Sequence, residues 1–308
     1  MKMRFLSFII AAAMAATMAG CSNTTSKPAA AEPAVEEAAP AEESASAEEA
    51  AEAETTKEEP ATAEAAQAEK ETEAPKEIVL PVLVNDSGKV IIQTVSSSRV
   101  YSTNSYIITS VNGERIVIDP TEMPREDVID ISPAAIVSTH SHPDHTDGIF
   151  FRDNKDAQSI LYTTGEITTE DFHITSIPAS HKGDEMDKSD FLMLIEVDGL
   201  RIVHMGDIGQ TTLTEEQLTA LGEIDIAFMQ FENSYSDMNL ENMKGFNLIE
   251  QLNPTIIVPT HFTGDSLDKL SEKYGTFTEF ENLWEVSKDD LPDTKLNVYR
   301  ISNTHNYK

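Results

Sequence analysis

Cysteine is nearly missing from this sequence. Cys21 is the only one in 308 residues, so no disulfide within the chain can contribute to its stability. Basic residues are scarce as well: 22 Lys and Arg stand against 54 Asp and Glu, a formal net charge of −32. Such an excess repels phosphate backbones and anionic lipid headgroups, which argues against nucleic acid or an anionic membrane surface as partner. Aromatic residues make up 6% of the chain and are absent from residues 22–77. Ala, Glu, Pro, Ser and Thr dominate that stretch, and its 16 Glu face only 4 Lys. It has too little apolar surface to offset the entropy of ordering. Residues 21–77 are therefore expected to form a disordered, acidic Ala/Glu/Pro-rich tether. Beyond the first twenty residues no apolar run is long enough to cross a membrane.

The N-terminus has a different character. Lys2 and Arg4 precede an apolar stretch over residues 5–17, and small residues lead up to Cys21. That order predicts a secretory signal over residues 1–20. Met18-Ala19-Gly20-Cys21 resembles a bacterial lipobox. The resemblance implies that Cys21 carries a lipid, and that the exported chain is held at the cell envelope by that lipid alone. Residues 78–308 remain, enough for one domain with a substantial core.

The chemistry concentrates in Ser138-Thr139-His140-Ser141-His142-Pro143-Asp144-His145-Thr146-Asp147-Gly148. Three imidazoles and a carboxylate fall within six residues, directly after the apolar run Ala134-Ala135-Ile136-Val137. Short runs rich in β-branched residues read as buried strands, and Pro143 with the Asp/Gly cluster behind it reads as a loop. The cluster is thus expected at a strand tip, where side chains converge. His140 and His142 share one side of an extended segment, while Asp144 and His145, past the bend, reach a neighbouring position. Imidazole and carboxylate together suit a divalent transition ion.

The spelling H-x-H-x-D-H-x-x-G resembles the metallo-β-lactamase-fold hydrolases, over roughly residues 90–261. Three later ligands are expected of that family. Pro178-Ala179-Ser180-His181, Met205-Gly206-Asp207 and Pro259-Thr260-His261 supply them, each closing an apolar run. The resemblance implies that His140, His142 and His181 hold one divalent ion and that Asp144, His145 and His261 hold another, with Asp207 bridging. Zinc is the first expectation, with manganese or iron as alternatives. A carboxylate between two cations reduces their repulsion, and a water they share becomes a nucleophile near neutral pH. Asp144 is the candidate catalytic residue, steering that water's proton towards the leaving group. The residues around His181 and Asp207 most resemble the lactonase-like branch. Loops similar to residues 233–238 line the pocket there, which makes Tyr235 a candidate substrate contact. His204 and His173 are expected to be structural or supporting, and His305 exposed.

Along the domain, strands come first and helices later. Asn112-Gly113 and Asp198-Gly199 predict two-residue hairpins. Thr214 with Gln217 predicts a helix N-terminus that Gly222 ends. Leu240, Met243, Ile249 and Leu252 predict a further helix, ended by Asn253-Pro254. The fold class is α/β, and the resemblance implies an αββα sandwich with the site on the rim between the sheets. The expected function is an exported, lipid-anchored dinuclear metal-dependent hydrolase of a small ester, lactone or phosphoester. A noncatalytic metal- or ligand-binding lipoprotein on the same fold is the alternative.

Overall fold

The computed structural model describes residues 84–304, except Ser102, Glu126 and Asp127. The signal segment, Cys21, the tether and His305 lie outside the described residues.

Two sheets are stacked. The first runs in the order β13 (Leu283–Val286), β1 (Val90–Thr94), β2 (Tyr106–Thr109), β3 (Arg115–Ile118), β4 (Ala135–Ser138), β5 (Gln158–Leu161). In the second, β12 (Thr278–Glu281), β14 (Asn297–Ser302), β11 (Ile256–Pro259) and β10 (Ile226–Met229) lead on to β9 (Leu200–His204), β8 (Asp190–Val197), β7 (Phe172–Ala179) and β6 (Gly165–Thr168). Period-2 alternation divides each central strand between two cores. Tyr106 and Ile108 of β2, Ile116 and Ile118 of β3, and Ile226 and Phe228 of β10 meet between the sheets. Ile107, Val117 and Ile136 face outwards from the first sheet onto Phe150 of α1 (Gly148–Asp153). Val203, Ala227, Met229 and Ile257 face outwards from the second. Packed against them are α2 (Glu215–Leu221), α3 (Lys244–Leu252) and α4 (Gly264–Tyr274), through Leu221, Phe246, Ile249 and Leu270. Both faces of each central strand are covered, so those strands read as unbroken apolar runs. Each fully buried Ile contributes about 1.5–3 kcal/mol. The result is the expected αββα sandwich.

Strand direction then gathers the site. β7, β9, β10 and β11 all run the same way, β9 to β11 as parallel neighbours and β7 through the antiparallel β8. Their carboxyl ends therefore share one rim, and β3 and β4 end together in the first sheet. Ligands of α/β sheets gather at such carboxyl edges.

Two local expectations need correction. Asp198 (φ 47°) and Gly199 (φ 79°) form the predicted two-residue hairpin, but Asn112-Gly113 do not. There the loop has three residues: Gly113 N–H donates to Ser110 O and Ser110 N–H to Glu114 O. Among the loop residues only Gly113 has positive φ, at 95°. A three-residue loop closed by one left-handed glycine serves the strands as well as a two-residue turn would. The helix expected from Leu240 onwards begins only at Lys244, because Met243 is left-handed (φ 55°) and cannot extend it. Leu240 and Met243 still pack on the same core from the preceding turn. The Thr214–Gln217 capping box forms in both directions and Gly222 ends α2 as expected.

Candidate metal centre

The loop after β4 is tied to itself before it meets anything else. Ser138 Oγ donates to His145 O at 2.7 Å, Thr146 Oγ1 donates to His140 O at 2.9 Å, and His145 N–H closes a turn on His142 O. Asp147 caps α1 by accepting from Ile149 and Phe150 N–H. His181 follows β7, Asp207 follows β9, and His261 follows β11. All seven residues expected from the sequence meet at the rim, in two sets: His140, His142, His181 and Asp207, then Asp144, His145, Asp207 and His261.

Asp207 belongs to both sets, and its two oxygens divide between them. Oδ2 lies 3.6 Å from His140 Nε2 and from His181 Nε2. Oδ1 lies 3.4 Å from His145 Nε2 and 3.3 Å from His261 Nε2. In the second set five donor–donor separations, including His145 to His261, fall between 3.1 and 3.6 Å. A tetrahedron with such edges has its centre about 2 Å from each corner, the length of a zinc–nitrogen or zinc–oxygen bond. Among the described residues, His140 Nε2, His181 Nε2 and Asp207 Oδ1 are buried with no hydrogen-bond partner. Buried polar atoms are rarely left so. Donor type, spacing and unpaired atoms all fit divalent ions.

Burial by itself would raise the Asp207 carboxyl. The imidazoles around it, His145 first and then His181 and His261, instead hold it well below the usual carboxylate range. Burial, with the neighbouring His145, pushes His140 down to about 4, so its imidazole is neutral and one ring nitrogen has a lone pair free for a cation.

Four supporting side chains had no assigned role in the sequence reading, and one of them, Asn104, places its Nδ2 2.9 Å from His261 Nε2. Asp119, at the end of β3, accepts the Thr139 N–H at 2.7 Å through Oδ1, and its Oδ2 lies 2.8 Å from His145 Nδ1. In the neutral ring that a cation requires, a hydrogen bond from Nδ1–H to that carboxylate leaves Nε2 as the bare nitrogen facing the second set. Asp119 holds a left-handed backbone (φ 46°) to do this, the kind of strain that collects at functional sites. Asp190, opening β8, is wholly buried, with Oδ1 3.4 Å from His140 Nδ1. Burial and the charges of Asp207 and Asp119 raise its carboxyl well above the ordinary value. Asn233 donates to Asp207 Oδ2 at 2.6 Å and caps the short turn that carries Tyr235. His204 is buried as expected, stacked on Phe228, with burial lowering it to about 4. His173 sits half-buried in β7, beside Thr168.

The two sets floor an open cleft of about 430 Å³, walled by Tyr101, Pro143, Glu232, Asn233 and Tyr235. Tyr235 is 74% exposed and stands edge-on to His142 at 6.2 Å. Tyr101 stands likewise to His261, on the other side. None of the described residues lining the cleft is Lys or Arg.

An αββα sandwich with this rim has the metallo-β-lactamase hydrolase fold and a candidate metal-binding His/Asp cluster. The chain belongs to the β-lactamase superfamily: the model of the beta-lactamase superfamily domain matches residues 99–261. Among solved structures it is similar to a Thermotoga maritima protein assigned to the Zn-dependent hydrolases of the metallo-β-lactamase superfamily. Identity there is 17% and the TM-score 0.51, over 70% of this chain and 100% of the other. A metallo hydrolase from the archaeon Ignicoccus hospitalis shares 18% identity with a TM-score of 0.48, over 71% of this chain and 97% of its own. At these identities the likeness is one of fold. No curated protein matches the chain.

Proposed function

We propose that this protein is a dinuclear metal-dependent hydrolase of small esters or lactones. The observation that carries the reading is the division of Asp207, one oxygen to each set of donors. His140, His142 and His181 would hold one ion, and Asp144, His145 and His261 the other. The ions, zinc in the first instance or else manganese or iron, supply an acidified water and a positive field for the attacked and leaving oxygens. Asp144 reaches the cleft, with its Oδ2 3.4 Å from His261 Nε2. From there it moves the proton of the attacking water to the leaving oxygen. Tyr101 and Tyr235 offer aromatic edges to the remainder of the substrate. A phosphoester substrate calls for basic side chains around its oxygens; the described cleft lining has none, and Arg300 lines only the neighbouring hollow past Tyr101 and His261, which favours the ester or lactone.

The test is a screen of protein loaded with zinc, manganese or iron against matched lactones, esters, thioesters and phosphodiesters. Turnover of a lactone or ester should vanish on chelation and return with metal. Two bound ions with no turnover anywhere would instead favour a binding protein.

The anchor is part of the same proposal: the domain acts outside the cytoplasm, held at the membrane by lipid on Cys21. Cys21→Ser should move the protein from the membrane fraction to the soluble one, or stall its maturation. A wild-type protein that carries no lipid and fractionates as soluble would refute the anchor.

A further inference from the structure

A second hollow opens beside the metal cleft and shares Tyr101, Glu232 and His261 with it. It holds about 460 Å³, against about 430 Å³ for the cleft. Its wall carries a charge that the cleft lacks. Arg300 of β14 lines it, and no other Lys or Arg lines either space among the described residues. We infer that Arg300 is the subsite for a carboxylate on the far arm of the substrate. The ester or lactone cleaved at the rim is then one that carries a free acid group. The inference rests on the hydrolase reading proposed above.

Strand register brings the guanidinium to the site. β14 runs parallel to β11 with Val298 opposite Ile257. Continued, that register sets Arg300 level with Pro259, two residues before His261. One strand spacing across and two residues along put the backbones of Arg300 and His261 about 8 Å apart. A short substrate arm spans that distance. The guanidinium is also held in place. Its centre stands 5.7 Å from the Phe262 ring, and Nη1 donates to Glu279 Oε1 at 3.2 Å. Glu279 lies directly opposite Arg300 on β12, and among the described residues it is the one hydrogen-bond partner of the guanidinium. Most of the five N–H groups therefore remain for a ligand. An edge of the planar fork takes a carboxylate through two parallel bonds. The pair with Glu279 is exposed, and such pairs contribute little to stability. Because Glu279 already offsets part of the charge, a singly charged carboxylate suits the subsite better than a phosphate dianion. Glu232, the acid between the two spaces, has an oxygen engaged by the Thr263 hydroxyl. Elsewhere the chain repels anions, at a formal net charge of −32. One guanidinium beside the ions then selects an acid by position and not by overall field.

The experiment takes zinc-loaded protein and the phenyl monoesters of the linear diacids from adipic to azelaic acid. Phenyl esters of the monoacids of equal chain length are the neutral partners. For at least one length, wild type should show a kcat/KM about tenfold or more higher for the acid ester than for its partner. Arg300→Gln should bring that ratio to about one. Glu279→Gln frees the guanidinium and should keep the ratio or raise it, which a merely structural ion pair would not do. Arg300→Lys keeps the charge but loses the fork, so it should retain only part of the ratio. That variant keeps the inference testable if the glutamine form does not fold. Calorimetry of the free diacids against the monoacids reads the same preference without turnover. Neutral esters hydrolysed with no preference for the acid at any length, in turnover or binding, would overturn the inference while the hydrolase reading stood. So would a preference that survives Arg300→Gln or is lost in Glu279→Gln. Terminal phosphonates bound more tightly than the diacids would overturn the choice of carboxylate. Diacids bound more tightly than monoacids, an advantage abolished by Arg300→Gln, with no ester turned over, would keep the subsite and sink the hydrolase reading.

Discussion

Asp207→Ala should strip both ions from the protein. Asp207 is 1% exposed and is the only carboxylate in the set with His140, His142 and His181. Without it, that set is three imidazoles around a dication with no compensating charge. The second set keeps Asp144 but loses the oxygen 3.3 Å from His261 and 3.4 Å from His145. What remains is two cations facing each other with nothing negative between them. Occupancy should fall below one ion per chain, and hydrolysis by roughly three orders of magnitude or more, about 4 kcal/mol of lost transition-state stabilisation. The sandwich itself should survive, since its large apolar clusters do not involve Asp207. His261→Ala provides the contrast, because its loss touches one set alone and should leave the first ion in place. Metal analysis and melting curves of both purified variants decide the matter. Two ions retained per Asp207→Ala chain, with turnover near wild type, would end the dinuclear mechanism.

What was legible from sequence follows from how locally each feature is encoded. The loop 138–148 could be read because its donors are neighbours in the chain, and the strand that delivers it is a contiguous apolar run. His181, Asp207 and His261 were readable because each closes such a run and matches the family pattern. The capping box of α2 lies within four residues. Asp119, Asp190 and Asn104 carry no comparable local mark. Asp190 meets the site because β8 pairs with β7 in a register that sets it opposite Ala179, two residues before His181. Asn104 is there because β2 runs antiparallel to β3 and so starts at the rim where β3 ends. Register and strand order produce those contacts, and neither is written in any short window. The helix α4 was missed for a different reason. Its capping box ends in Ser266 where Gln or Glu is the usual signal, and its exposed face leaves few apolar positions to set a period. The edge strands β12 and β13 were missed likewise, since only alternate or isolated residues in them are shielded.

Gly209→Ala should loosen the site from a position no ligand argument points to. Gly209 lies two residues past Asp207, and its N–H donates to Ser180 O at 2.8 Å. Its own carbonyl accepts from Gly183 N–H at 3.1 Å and from Lys244 Nζ at 3.2 Å. The residue is thus wedged between the loop that carries His181 and the turn that carries Tyr235. A methyl group at Gly209 would collide with the carbonyl oxygen of His181 and stand 2.7 Å from that of Ser236. Both obstacles are backbone, so no side chain can swing aside and the two loops must part. Overpacking of this kind costs about 1–3 kcal/mol, and a backbone clash belongs at the upper end. Tm should drop accordingly. Because His181 moves with its carbonyl, the first ion should bind at least about tenfold more weakly, while the second set, which shares Asp207 with this loop but not His181, should lose less. Gly264→Ala is the control. It lies in the first turn of α4 with nothing within 4 Å of the added carbon, so it should leave metal binding alone and stabilise the helix by up to about 1 kcal/mol. If Gly209→Ala melts with wild type and binds both ions as tightly, the loops give way freely. The first set would then owe its geometry to His140, His142 and Asp207 without help from this wedge.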